Sequence, residues 1–213
     1  MIYKKGSKGG VVKQIQKALN LYPDGIFGAI TEEAVMIYQK EHNLTVDGIV
    51  GPATLARLLR KRFTLKKNKR YINEIIVHCS ATPEGKDYTV EDIRKWHLQR
   101  GFSDIGYHYV IYRDGYIAEG RDVNLVGAHC AVGGHNPHSI GICYIGGLEN
   151  IPGVSASKLP AKDTRTDEQK AAMMSLIISL KGLYPDAKVY GHHDFDKYKA
   201  CPCFNAKKEY AKL

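Results

Sequence analysis

The sequence predicts an α/β domain with a mixed β-sheet flanked by helices, preceded by a small three-helix domain. Three observations carry this. An eight-residue pattern occurs twice within the first 60 residues, apolar positions switch from helical spacing to alternating strand and helix beyond residue 71, and the charge is divided unevenly between the two parts. The boundaries are set at 1–60 for the helical domain, 61–70 for a basic linker and 71–213 for the α/β domain.

In the first part, Asp24-Gly25-Ile26-Phe27-Gly28-Ala29-Ile30-Thr31 recurs as Asp47-Gly48-Ile49-Val50-Gly51-Pro52-Ala53-Thr54. Each copy reads as a turn whose glycines permit positive φ, closing on a Thr suited to cap the next helix. Val11, Ile15, Ala18 and Leu19 form one apolar helical stripe, and Ala34, Val35, Tyr38 and Leu44 form another. Residues 1–70 hold 14 Lys and Arg against 5 Asp and Glu, while residues 71–213 hold 17 of each. The net charge of +9 is therefore the charge of the first part. Arg57, Arg60, Lys61, Arg62, Lys66, Lys67, Lys69 and Arg70 form a run without acids, read as a solvated tether that can also attract an anionic polymer. No interleaved aromatics or finger spacing accompany it, so nucleic acid is not expected as a partner.

In the second part, Ile72 to His78 is a strand. Thr89-Val90-Glu91-Asp92 reads as a capping box opening a helix through Gln99, with Gly101 as the stop. Tyr107 to Tyr112 and Tyr116 to Glu119 flank Arg113-Asp114-Gly115 as a hairpin. Ser139 to Ile145 is a buried strand, and Gly146 to Asp163 a loop. Thr166-Asp167-Glu168-Gln169 caps a helix through Leu183, and Lys188 to Tyr190 is the last strand. Because a hairpin and crossover helices both occur, the sheet should be mixed.

The chemistry concentrates in Ile75-Ile76-Val77-His78-Cys79-Ser80, Gly191-His192-His193 and Lys199-Ala200-Cys201-Pro202-Cys203. Imidazole and thiolate together suit a tetrahedral zinc ion, and three protein ligands leave a fourth position for water. His193 competes with His192 for the role, and Cys203 with Cys201. Five cysteines are an odd, sparse set that does not make a disulfide framework. No apolar run approaches the length of a membrane span. The basic N-terminus lacks the apolar core of a signal peptide, which leads to the expectation of a cytoplasmic protein unless something else exports it.

Residues 6–59 resemble the small peptidoglycan-binding domain attached to many bacterial and phage wall hydrolases. From residue 73 to 205, a collinear set resembles the zinc-dependent N-acetylmuramoyl-L-alanine amidases of the type 2 family, closest to the phage amidase "lysozymes". The set comprises Val77-His78-Cys79-Ser80-Ala81-Thr82, Ile93-Arg94-Lys95-Trp96-His97, Gly106-Tyr107-His108-Tyr109, Arg113-Asp114-Gly115, Gly120-Arg121-Asp122, Val126-Gly127-Ala128-His129, Asn136-Pro137-His138-Ser139-Ile140-Gly141-Ile142, His192-His193 and Lys199-Ala200-Cys201-Pro202. The resemblance implies Zn2+ on His78, His192 and Cys201, catalytic support from Tyr107 and Lys199, and a substrate cleft bordered by His129 and Asn136. It implies hydrolysis of the amide between N-acetylmuramic acid and L-alanine in peptidoglycan, by a monomer of the endolysin type, held in the cytoplasm until released to the cell wall. The alternative is a recognition protein that binds peptidoglycan without cutting it. Loss of a ligand, commonly the cysteine, marks that state in the family, and Cys201 is present here.

Overall fold

The computed structural model describes residues 2–58, 65 and 67–213. Arg60, Lys61, Arg62 and Lys66 of the basic run lie outside the described residues. The chain divides into two compact units, Met1–Thr64 and Leu65–Leu213.

The first unit holds α1 (Gly10–Ala18), α2 (Ala29–Glu41) and α3 (Pro52–Leu58). Val12, Ile15, Phe27, Val35, Val50, Leu55 and Leu58 form its core. The repeat has a physical basis the sequence pattern did not disclose. Gln16 is buried in α1, and its amide nitrogen donates to Asp24 Oδ1 (2.7 Å), the Ile26 carbonyl (3.0 Å) and Thr31 Oγ1 (3.2 Å). Its oxygen accepts from the Gly25 N–H at 2.8 Å. Gln39 repeats the set on Asp47, Ile49, Thr54 and Gly48 at 2.8, 2.9, 3.2 and 3.0 Å. Each Asp-Gly turn thus folds around a buried glutamine from the preceding helix, which satisfies groups that burial would otherwise leave unpaired. Thr31 does not cap α2: the helix begins at Ala29, after Gly28, and the buried Thr31 hydroxyl faces Gln16.

The second unit is built on a five-stranded sheet. Its strands are β1 (Glu74–Cys79), β3 (Tyr109–Ile111), β4 (Ile117–Glu119), β5 (Ser139–Tyr144) and β7 (Lys188–Gly191), in the order β4-β3-β5-β1-β7. β2 (Thr82–Pro83) and β6 (Gly147–Leu148) make a small parallel pair beside it. β1 runs parallel to β5 and β7, β3 parallel to β5, and only β3–β4 is antiparallel, so the sheet is mixed as predicted. Every residue of β5 is buried, which suits a central parallel strand.

Both predicted capping boxes are present. Thr89 opens α4 (Val90–Gln99) with Asp92 reciprocating, and Thr166 opens α5 (Asp167–Leu183) with Gln169. α4 sets Ile93 against Ile105, Val110, Ala118 and Cys143, with Trp96 at the edge of this cluster. α5 buries Met173, Leu176, Ile177 and Leu180, each worth about 1.5–3 kcal/mol of transfer free energy. The buried Gln169 amide joins α5 to the sheet through the Ile111 and Ile145 carbonyls, at 3.2 and 2.9 Å. A last short helix, α6, spans Ala206–Glu209.

Candidate metal centre

The sheet register brings the site together. Val77 on β1 lies opposite Gly191 on β7, so His78 and His192 fall at the same level, where the two parallel strands end. Neighbouring strands are about 4.8 Å apart, and the two imidazole centroids are 4.7 Å apart. His192 and His193 open a 3-10 turn rather than continuing the strand. His192 turns toward His78, while His193 has Nδ1 3.4 Å from the Ala200 carbonyl and Nε2 3.9 Å from the Asp194 carboxylate.

Cys201 arrives from the segment after that turn. The His193 N–H donates to the Cys201 carbonyl at 2.8 Å, and the buried Tyr144 hydroxyl donates to the Pro202 carbonyl at 2.8 Å. Gly191 is required here, because a Cβ on it would lie 2.6 Å from Pro202 Cδ. Cys201 Sγ lies 3.8 Å from His78 Nδ1 and accepts the Cys79 N–H at 3.2 Å. Cys203 points elsewhere, with its sulfur 3.7 Å from that of Cys79. The Cys201 sulfur beside it pushes the buried Cys79 thiol up to about 12, so Cys79 stays protonated.

His78, His192 and Cys201 thus offer two nitrogens and one sulfur within 4.8 Å of one another. The donor set fits a tetrahedral ion: bonds of about 2.05 Å to nitrogen and 2.3 Å to sulfur put those two atoms about 3.6 Å apart, close to the 3.8 Å between His78 Nδ1 and Cys201 Sγ. Protonation fits as well. Burial, and then His192, lower the His78 pKa well below its ordinary value; burial, and then Lys199, lower that of His192. Both rings are held neutral, the state that can ligate.

Tyr107 and Lys199 flank this group. The half-buried Tyr107 ring is centred 5.1 Å from that of His78. Burial, and then the Cys143 thiol, raise its phenol well above the ordinary value, so Tyr107 is a hydrogen-bond donor at neutral pH and not a base. Lys199 is exposed, and its charge reaches His192.

His129 packs against His78. It is 7% exposed, with Nδ1 3.1 Å from His78 Nε2 and Nε2 3.3 Å from Ser139 Oγ. When His78 Nδ1 ligates a metal, its Nε2 carries the proton and donates to His129 Nδ1, which leaves His129 Nε2–H to donate to Ser139. The Asn136 side-chain oxygen accepts from the backbone N–H of His129 (3.0 Å) and Cys130 (2.8 Å), which fixes the loop that carries the ring. Gly127 and Gly141 make room for it: a Cβ on either would fall within 2.5 Å of His129 Cδ2. His129 thus touches His78 directly, and Asn136 reaches it through the backbone of the His129 loop. Ser139 belongs to the same chain of contacts. Its place in Asn136-Pro137-His138-Ser139 was the one sequence signal for it, and that pattern assigns no role.

Comparison with known proteins identifies the family. Residues 68–204 match the family model described as N-acetylmuramoyl-L-alanine amidase, and residues 8–58 match that of a peptidoglycan binding domain. The chain is 41% identical over 140 residues to the endolysin of Klebsiella phage KP32, covering 66% of this chain and 86% of that protein. It is 37% identical over 146 residues to the endolysin of Escherichia phage T7, covering 68% and 90%. Among solved structures it is similar to the N-acetylmuramoyl-L-alanine amidase LysC from Clostridium intestinale, with a TM-score of 0.52 and 29% identity over 67% of this chain and 84% of that one. It is also similar to a Drosophila PGRP-LB variant in complex with tracheal cytotoxin, with a TM-score of 0.54 and 26% identity over 70% and 85%. A chain matched over this much of its length, by both its sequence and its fold, belongs to the N-acetylmuramoyl-L-alanine amidase family.

Proposed function

We propose that this amidase holds zinc on His78, His192 and Cys201 and hydrolyses the bond between N-acetylmuramic acid and L-alanine in peptidoglycan, as an endolysin. The observation that carries the reading is the His/His/Cys group, which leaves a tetrahedral ion one open corner. Bound zinc supplies Lewis acidity at the amide carbonyl and lowers the pKa of water toward about 7.

The remaining work falls to the protein. Cys201 accepts the Cys79 N–H, which fixes the position of its sulfur in the donor group. His129 takes the proton on His78 Nε2 as a hydrogen bond and keeps the ring turned toward the donor group. Lys199, exposed beside His192, is suited to meet the negative charge that grows on the amide oxygen. Tyr107, held as a phenol, orients the amide or the attacking water by donating its proton in a hydrogen bond.

In this reading the first unit binds the wall polymer, and its covalent link to the amidase unit raises the local concentration of enzyme at an insoluble substrate. The endolysin relatives support action on the cell wall, and among the described residues no helix is long and apolar enough to cross a membrane. The test is release of new L-alanyl amino termini from purified sacculi, read by mass spectrometry together with zinc content. Cys201→Ser and His78→Ala should lose both. Binding of sacculi without new amines would favour a recognition protein instead.

A further inference from the structure

Arg70 falls at the end of the basic run, yet its side chain is built into the second unit. Nη1 donates to the carbonyls of Val123 (3.0 Å) and Leu125 (2.7 Å), and Nη2 to those of Asn136 (3.1 Å), Pro137 (3.3 Å) and Ser139 (2.7 Å). All five acceptors are backbone oxygens, and they come from two separate loops. Among the described residues no carboxylate pairs with this guanidinium, and its Nε is buried without a partner. Placing a cation like this is a poor source of stability, because desolvation opposes it and no counter-charge offsets the loss. What the arrangement does supply is a fixed distance between the loops. A planar fork can hold five carbonyls, and a lysine ammonium cannot reach them in that pattern.

The residues it grips are those that orient His129. Asn136 gives its carbonyl to Arg70 and its side-chain oxygen to the His129 N–H. Ser139 gives its carbonyl to Arg70 and its hydroxyl to His129 Nε2. On the other loop, Arg70 meets His108. The Gly141 N–H donates to His108 Nδ1 at 2.9 Å, so the neutral ring carries its proton on Nε2, which faces the Leu125 carbonyl at 3.1 Å. Arg70 Nη1 lies 3.0 Å from that nitrogen. The two donors therefore converge on one oxygen and do not bond to each other.

We propose that Arg70 is a positioning residue of the amidase site, drawing Asn136 and Ser139 into one register and so holding His129 behind His78. The inference rests on the reading of His129 as support for a zinc-binding His78. The test uses the full chain with Arg70→Gln, Arg70→Lys, His129→Ala and the double variant, alongside Leu176→Ala, a core truncation on α5. Zinc affinity is measured by competition with a chromophoric chelator, kcat and KM on a soluble muropeptide, and the thermal midpoint for each.

Arg70→Gln should weaken zinc binding about 10–100-fold and lower kcat with KM nearly unchanged, and Arg70→Lys should recover part of both. Leu176→Ala should lose thermal stability while keeping zinc affinity. Combining Arg70→Gln with His129→Ala should add little to His129→Ala alone, since both act on one contact. Additive losses, or an equal loss of affinity in Leu176→Ala, would overturn the proposal. So would unchanged zinc affinity and kcat in Arg70→Gln while His129→Ala is impaired, and that result would leave the zinc reading standing. Unchanged zinc affinity in His129→Ala would remove the supporting role of His129 and this proposal with it.

Discussion

The contact between His78 and His129 makes a quantitative prediction. His78 is completely buried, and Nδ1 is the nitrogen that faces Cys201. When Nδ1 ligates a metal, Nε2 must carry a proton, and its acceptor is His129 Nδ1 at 3.1 Å. His129→Ala leaves that N–H buried and unpaired, at a cost of about 1–3 kcal/mol. The metal-free protein escapes most of the penalty, because the ring can move its proton to Nδ1, toward the Cys201 sulfur. The loss therefore falls on the metal-bound state, and about 1–3 kcal/mol corresponds to roughly 5- to 150-fold weaker zinc binding. That range overlaps the roughly 10- to 100-fold effects seen when partners of ligating histidines are removed. His129→Asn serves as the rescue, since an amide oxygen can stand where Nδ1 stood and accept the same proton. Titration against a chromophoric chelator reads the affinity, and the thermal midpoint without metal reads the fold. Zinc binding within twofold of the parent in His129→Ala would refute the reasoning. An Asn variant no better than Ala would show that ring packing, and not the hydrogen bond, carries the effect.

Lys199→Ala should retain zinc and lower kcat by about 10²–10³-fold, the scale of losing one group that stabilises a developing oxyanion; unchanged turnover would reduce Lys199 to a surface charge. Acid should destabilise the second unit through His108, whose pKa burial, with Arg70 and Arg121 nearby, lowers from 6.5 to about 4 in the fold. Between those values the unfolded chain binds the extra proton, so stability rises with pH. The contribution is complete above 6.5 and lost by about pH 4, and amounts to about 3 kcal/mol. Denaturant melts of the metal-free protein across this range check it, because His108→Asn should flatten the slope relative to the parent and an identical slope would exclude His108. A chain starting at Leu65 should still release L-alanyl amines from soluble fragments while binding intact sacculi less well. Equal retention on sacculi would make the first unit a spacer.

What the sequence disclosed and what it hid divide along a physical line. Capping boxes at Thr89 and Thr166 were legible because their partners lie three residues away, within reach of any local pattern. The donor group was proposed for a different reason: chemistry alone left His193 and Cys203 as rivals, and the collinear motifs of the resembled family implied His78, His192 and Cys201. The turn geometry at His192 was not legible, since a strand and a 3-10 turn both leave one of two adjacent histidines facing His78. Gln16 and Gln39 repeat at the same interval as the Asp-Gly turns they hold, yet a glutamine on a helix reads as a solvent-facing residue until the turn is seen to close over it. His129 and Arg70 were the hardest, for opposite reasons. His129 follows Gly127 in a loop that suggests exposure, when that glycine and Gly141 of β5 leave the space its buried ring needs. Arg70 sits in a run of cations whose charge suggested a solvated tether, when its acceptors are carbonyls 53 to 69 residues away. Backbone oxygens leave no mark on a sequence, because every residue has one. A side chain that works through them can be recognised only once the fold has brought the loops together, and at this site such a side chain stands behind the residues the sequence does reveal.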